Sequence, residues 1–168
     1  NGQLGNQGVH QMDLIRWGLE LQTHPTRIQS LGGRYTHDDD QQTPDTQICA
    51  YEFEGRDLLV EVEVRNWYTN TEAGMGEQFP FVDHQSVVGV IFVGREGYML
   101  FPDYSSYYTF LGRDRKPGPT KSVAGEPMMD TDHFRNWIAA VRSRDARDLA
   151  ADIEEGHLSS ALCHLANV

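Results

Sequence analysis

A chain of 168 residues, 39% of them hydrophobic, is long enough for one domain, and a domain of that size buries roughly 70% of the surface its unfolded chain exposes. Fourteen Lys and Arg stand against 25 Asp and Glu, a net charge of -11, and no basic cluster is denser than Arg113, Arg115 and Lys116. This argues against nucleic acid as a partner, because phosphate neutralisation needs a concentrated basic footprint, and the acidity itself favours solubility. No stretch is long and apolar enough to span a bilayer, so no membrane partner is expected, and no signal peptide opens the chain. The chain lacks an initiator Met, and its first five residues read as the middle of a loop. It is therefore expected to be a piece of a longer polypeptide, with the cytoplasm as default compartment and any export signal of the parent out of view.

Residues 5–17 (GNQGVHQMDLIRW) run from a glycine-rich approach into an amphipathic helix. Leu14, Trp17 and Leu21, flanked by Met12 and Ile15, form the stripe that such a helix buries. His10 and Asp13 share its polar edge. If the helix runs back through Asn6, the i, i+4 spacing puts that amide and the His10 imidazole on one face; if it starts nearer Gly8, Asn6 lies at or before the cap. A polar edge beside an apolar one describes either the wall of a cleft or a helix with ordinary capping and surface-pairing groups.

His24-Pro25 stops the helix. Residues 27–35 read as a strand, weakened or bulged at Gly32-Gly33, and 38–45 as a solvated loop without the spacing of a calcium site. Residues 47–53 and 58–65 flank a Gly-containing turn and read as a hairpin. Val60, Val62 and Val64 point to one face of it, Glu61, Glu63 and Arg65 to the other. A long connection, 66–84, carries Trp67, Tyr68 and other aromatics, as functional or interface loops do. Residues 86–93 read as a central strand, 98–101 and 107–111 as further strands, and 113–120, with two prolines, as a loop. Helical spacing returns with Phe134, Trp137, Ile138 and Val141. The last helix opens on Asp152 and Glu155, a capping-box pattern, and its stripe is Leu158, Ala161, Leu162 and Leu165. Cys49 and Cys163, outside any CxxC arrangement, read as two buried free thiols.

The order helix, about six strands, two helices predicts an α+β fold in a single domain spanning 1–168. Its core is a large open, mostly antiparallel sheet with helices on one face and the other face available for oligomerisation.

The glycine-rich approach, the helix His10-Gln11-Met12-Asp13-Leu14 with Trp17, and the closing Ala151-Asp152-Ile153-Glu154-Glu155-Gly156-His157 together resemble the second domain of the Gfo/Idh/MocA oxidoreductase family. The resemblance covers practically the whole chain, and the run at 6–13 looks most like a bacterial subgroup. Family members join an N-terminal Rossmann domain that binds NAD(P) to a C-terminal domain that supplies part of the substrate pocket and the oligomer interface. The resemblance implies that this chain is the second domain alone. No G-x-G-x-x-G turn follows a strand here, and the family's catalytic lysine, in a Glu-Lys-Pro motif, belongs to the other half. NAD or NADP would thus be bound mainly by the missing N-terminal domain, with no cofactor-binding or metal-binding residue in this chain. Alone, the chain would not be catalytically competent.

The family also carries an Asp four residues before a His on the helix that opens the second domain. Aligned on His10, that position is Asn6, which can hydrogen-bond the ring but adds no charge. The resemblance implies that His10 binds the substrate hydroxyl, with Asn6 beside it, and that either His10 or the lysine of the missing domain serves as general base. Asp13 is read either as a substitute orienting carboxylate or as an inter-element pairing group. The implied substrate is a sugar, polyol or related secondary alcohol. The aromatic segments 66–81, with Trp67 and Tyr68, and 104–108 offer it a stacking surface or else an oligomer interface. A homo-oligomer, dimer or tetramer, through the sheet is expected. His157 and His164, two turns apart across an apolar stripe, read as packing groups. Two rival classes remain: a non-catalytic binding and assembly module of the same fold, and a metal-dependent hydrolase or isomerase using His10, Asp13 and His157, for which metal-site spacing is lacking.

Overall fold

The computed structural model describes residues 2–65, 89–122 and 130–168. The chain is helical almost from its start. Leu4–Gly8 forms a π-helical turn that continues without a break into α1 (Val9–Leu19). The glycine-rich approach is thus helix, and a Cβ at Gly8 would lie 2.9 Å from a Leu4 side-chain carbon. Glu20, at φ 52°, ends α1 in the left-handed region, and the Leu21 N–H bonds back to the Arg16 carbonyl at 3.0 Å. The buried side of α1 is Gln11, Met12, Ile15 and Arg16. Leu21 is buried as expected, but Trp17 is 63% exposed and Leu14 half-buried, so the stripe is rotated from the expected one. Arg16 shifts it: a guanidinium that makes four hydrogen bonds can occupy ground that hydropathy alone gives to Trp17.

Strands β1 (Arg27–Gly33), β2 (Thr46–Glu52) and β3 (Leu59–Arg65) form an antiparallel sheet in that order. The β1–β2 ladder pairs every residue from Arg27 with Glu52 to Gly33 with Thr46, so no bulge interrupts it. Gly32 serves close approach instead, since a Cβ there would lie 2.6 Å from the Thr46 carbonyl oxygen. Strands β4 (Val90–Gly94), β5 (Gly97–Phe101), β6 (Ser106–Leu111) and β7 (Lys116–Ser122) form a second antiparallel sheet, also in sequence order. The fold is α+β with open antiparallel sheets, as expected, but the seven described strands fall into ladders of three and four instead of one large sheet.

Two strand assignments differ from expectation. The segment expected as a loop is β7: its prolines, Pro117 and Pro119, are tolerated because an edge strand has N–H positions that need no ladder partner, and a register shift lies between Tyr108 and Phe110. The expected central strand is β4, at the edge of its ladder among the described residues, with Val93 81% exposed.

Helices α2 (Asp130–Ser143) and α3 (Ile153–Ala166) close the chain, with a 3-10 turn, Ala146–Asp148, between them. The Asp152 carboxylate caps α3, accepting from the N–H groups of Glu154 and Glu155 at 2.9 and 3.1 Å. The capping box is only half made, because the Glu155 carboxylate turns to Arg16. The buried face of α3 is Leu158, Ser159, Leu162, Cys163 and Ala166, with Leu165 exposed. On α2 the apolar stripe of Phe134, Trp137, Ile138 and Val141 is exposed among the described residues.

Both α1 and α3 pack on the first sheet. Met12, Ile15, Leu162, Cys163 and Ala166 meet Cys49, Tyr51, Val60 and Val62 in one core, which Val90 of β4 also joins. The Met, Ile, Leu and Val side chains among these each contribute roughly 1.5–3 kcal/mol on burial. Polar ties align α3 with β2: the Tyr51 hydroxyl donates to the Leu162 carbonyl at 3.1 Å, and Gln47 Nε2 to the Ala166 carbonyl at 2.8 Å. Cys49 and Cys163 are free and buried, as expected, and burial pushes the Cys163 thiol up to about 11.

Candidate functional site

A cavity of about 200 Å³ opens where α1 faces the second sheet. Gln7, Gln11 and Leu14 line it from the helical side, Gly89 and Val90 from the start of β4, and Phe101, Pro102, Asp103 and Tyr104 from the β5–β6 turn. The spacing of Gln7 and Gln11 places both amides toward that turn. Gln7 Nε2 donates to the Tyr104 hydroxyl at 2.8 Å and Gln11 Nε2 at 3.0 Å. Asp103 shapes the turn by accepting the Ser105 N–H at 2.6 Å, a local side-chain-to-backbone bond of the kind that fixes tight turns.

His10 is not among the residues that line the cavity. It is exposed, and its imidazole lies edge-on to the Tyr104 ring, with centroids 5.9 Å apart and planes at 66°. Asn6 is also exposed, one step back on the same continuous helix, and no hydrogen bond joins it to His10 among the described residues. Asp13 belongs to a different structure. Its Oδ1 accepts the Ser159 hydroxyl at 2.6 Å, and that oxygen in turn accepts Arg16 NH1 at 2.9 Å. The carboxylate therefore ties α1 to α3, the inter-element pairing role, and makes no hydrogen bond to His10. Trp67 and Tyr68 lie outside the described residues. His157 meets His24 edge-on with centroids at 5.2 Å, and His164 is exposed near the end of α3. No group of three or more His, Cys, Asp or Glu among the described residues is placed to hold a metal.

Sequence reasoning singled out His10, which touches this lining through the Tyr104 ring, and missed Gln7, Gln11 and Asp103. One signal was available: Gln7 and Gln11 repeat the i, i+4 spacing of Asn6 and His10 one residue on. Tyr104 lies in a segment read as a stacking surface, yet its hydroxyl is what the helix engages. Chemically, the cavity offers a phenol, two amides and a carboxyl group beside an apolar floor of Leu14, Val90, Phe101 and Pro102. That suits a small ligand with hydroxyl or carbonyl groups.

No protein-family model and no characterised protein matches the sequence. Among solved structures, yvaA from Bacillus subtilis, a protein provisionally named an oxidoreductase, is similar over 99% of this chain and 48% of its own, with a TM-score of 0.50 and 13% sequence identity. The chain spans about half the length of that structure. At this identity the likeness defines the fold alone.

Proposed function

We propose that this chain is the C-terminal, substrate-facing domain of a two-domain NAD(P)-dependent oxidoreductase of the Gfo/Idh/MocA kind, acting on a sugar, polyol or related secondary alcohol. The observation that supports it most is the fold likeness that takes in nearly all of this chain and only half of its neighbour. Residues 1–168 then form one domain of a longer protein. The cavity, at about 200 Å³, is smaller than the roughly 300–1,000 Å³ of complete small-molecule sites, as fits a site finished by another domain. Its lining does not fit a dinucleotide: no glycine-rich turn leads from a parallel strand into a helix among the described residues, the arrangement that cradles a pyrophosphate. In this reading the hydride chemistry belongs to a nicotinamide held by the other domain.

In this reading His10 holds the substrate hydroxyl and takes its proton, a step in which a positioned base contributes at least about a hundredfold in rate. Tyr104 steadies the imidazole by its edge contact, since Asn6 lends no charge. The exposed side chains Leu31, Ile48 and Leu59 on the first sheet mark the proposed homo-oligomer face.

The region of the gene upstream of Asn1 tests the reading most directly: a strand, glycine-rich turn and helix, followed by a lysine-bearing motif, is expected. Absence of both sinks it. In the parent protein, nicotinamide absorbance followed with a panel of sugars and polyols should show hydride transfer, and His10→Ala should lower turnover at least about a hundredfold. The missing bond between Asn6 and His10 favours one second reading, a binding and assembly module without catalysis. That reading expects ligand binding with no hydride transfer under any condition.

A further inference from the structure

We propose that His24 and His157 together bind one divalent transition-metal ion, Zn2+ or Cu2+, which staples the connection between α1 and β1 to α3. The site is separate from the cavity and does not depend on the oxidoreductase reading. The two residues are far apart in the chain, yet their rings meet edge-on, with centroids at 5.2 Å and planes at 88°. Both side chains are exposed, and neither imidazole makes a hydrogen bond to the described residues. Their nitrogens are therefore open to a ligand. Imidazole nitrogen suits Zn2+ and Cu2+, whereas Mg2+ and Ca2+ demand oxygen. Two imidazoles that share one tetrahedral ion, each with a nitrogen about 2.0–2.1 Å from it, hold their ring centres about 5 Å apart. This pair already has that spacing. The terminal torsion of a histidine is broad, so a turn of each exposed ring replaces the edge contact by a shared ion without moving the backbone. Water fills the remaining positions, in keeping with the absence of any group of three protein ligands among the described residues.

The backbone beneath the pair is fixed from both sides. His24 stands in a connection pinned at each end: the Leu21 N–H bonds to the Arg16 carbonyl at 3.0 Å, and the Thr26 N–H to the Glu52 carbonyl at 2.8 Å. Pro25 further confines His24 to extended conformations. His157 rides on α3, whose start Asp152 caps. Arg16 joins the two supports, because its guanidinium donates to the Leu21 carbonyl and to both the carbonyl and the carboxylate of Glu155. It thereby holds the residue three before His24 beside the residue two before His157. A pair supported in this way keeps its spacing while exposed, and less ordering is left for the ion to impose. The net charge of -11 adds a general attraction for cations. Since only the folded chain brings the two rings together, the ion stabilises the fold by mass action.

The test is equilibrium dialysis of the untagged chain against ZnCl2, CuCl2 or MgCl2. One Zn2+ per chain should bind saturably, Cu2+ more tightly, and Mg2+ not at all. His24→Ala and His157→Ala, with folds verified by circular dichroism, should each weaken Zn2+ at least about tenfold, the lower end of what even an outer-shell partner is worth. His164→Ala, which removes an exposed histidine farther along α3, should leave Zn2+ affinity unchanged. Electron paramagnetic resonance of the Cu2+ form should show two nitrogen ligands in the wild type and one in each of the first two variants. At free Zn2+ about ten times its Kd, Tm should rise by roughly 3–6 °C in the wild type and by less than about 2 °C in either variant. Binding that does not saturate at one ion per chain, that survives His24→Ala or His157→Ala, or that shows a single nitrogen overturns the proposal. Zn2+ held by both histidines with no rise in Tm overturns the staple.

Discussion

Replacing Arg16 with Leu tests what holds α1 against the rest of the fold. The Arg16 side chain is 2% exposed, and its guanidinium makes four hydrogen bonds: Nε to the Leu21 carbonyl at 3.0 Å, NH1 to the Glu155 carbonyl at 3.0 Å and to Ser159 Oγ at 2.9 Å, and NH2 to the Glu155 carboxylate at 2.6 Å. Leucine keeps much of the apolar stem, so the cost falls on the polar groups left behind. Removing one partner of a buried ion pair costs about 3–5 kcal/mol. The Glu155 side chain is 33% exposed, so water partly replaces its lost partner and the lower end applies, about 3 kcal/mol. For a chain of this length each kcal/mol moves Tm by about 2–4 °C, which gives a fall of about 6–12 °C in a thermal melt followed by circular dichroism. Adding Glu155→Leu removes the stranded carboxylate and should recover part of the loss, with a coupling of about 0.5–3 kcal/mol in the double-mutant cycle. An Arg16→Leu melt within about 2 °C of wild type would refute the reasoning and reduce the pair to a surface contact.

Three further outcomes follow from the same geometry. Asp45 is buried, which pushes its pKa up, but the N–H groups of Thr36, Tyr35 and His37 and the Thr46 hydroxyl outweigh burial and hold its carboxyl well below the usual range. A folded-state pKa below the unfolded value of about 3.9 adds stability that is present above that pH and lost as the pH falls through it toward the folded value. Asp45→Asn should therefore flatten the acid limb of stability measured from pH 6 down to the onset of acid unfolding, and an unchanged limb counts against the cradle. Gly32→Ala places a Cβ against the β2 backbone and should cost about 1–3 kcal/mol by chemical denaturation; a neutral result means that the strands can part freely. Asp13→Ala should lower Tm while sparing turnover of the parent, whereas lost turnover at unchanged Tm would make Asp13 the orienting carboxylate of His10.

What was legible in the sequence was local. The alternation through Val60, Val62 and Val64 and the cap at Asp152 rest on periods and contacts a few residues long, and both elements stand where expected. What was not legible depends on partners far along the chain. Arg16 reads as a surface charge until Glu155 and Ser159, about 140 residues away, supply its acceptors. The prolines of β7 read as loop because proline cannot join the middle of a ladder, and no local pattern announces that a strand lies at an edge. The cavity needs Tyr104 to meet Gln7 across 97 positions, a pairing that no spacing rule contains.

These long-range pairings divide α1 into two edges with separate work. Along one, Asp13 and Arg16 fasten the helix to α3 through Ser159 and Glu155, and Met12 and Ile15 seal the core beside them. Along the other, Gln7, His10 and Gln11 face the β5–β6 turn, where Tyr104 takes two hydrogen bonds and an edge contact. A helix anchored this way can hold polar side chains at a cavity rim without spending core packing on them, because its stability comes from the opposite edge. It also explains how position 6 can be an amide. His10 meets a tyrosine on the facing turn, and the asparagine one turn before it makes no hydrogen bond to it among the described residues.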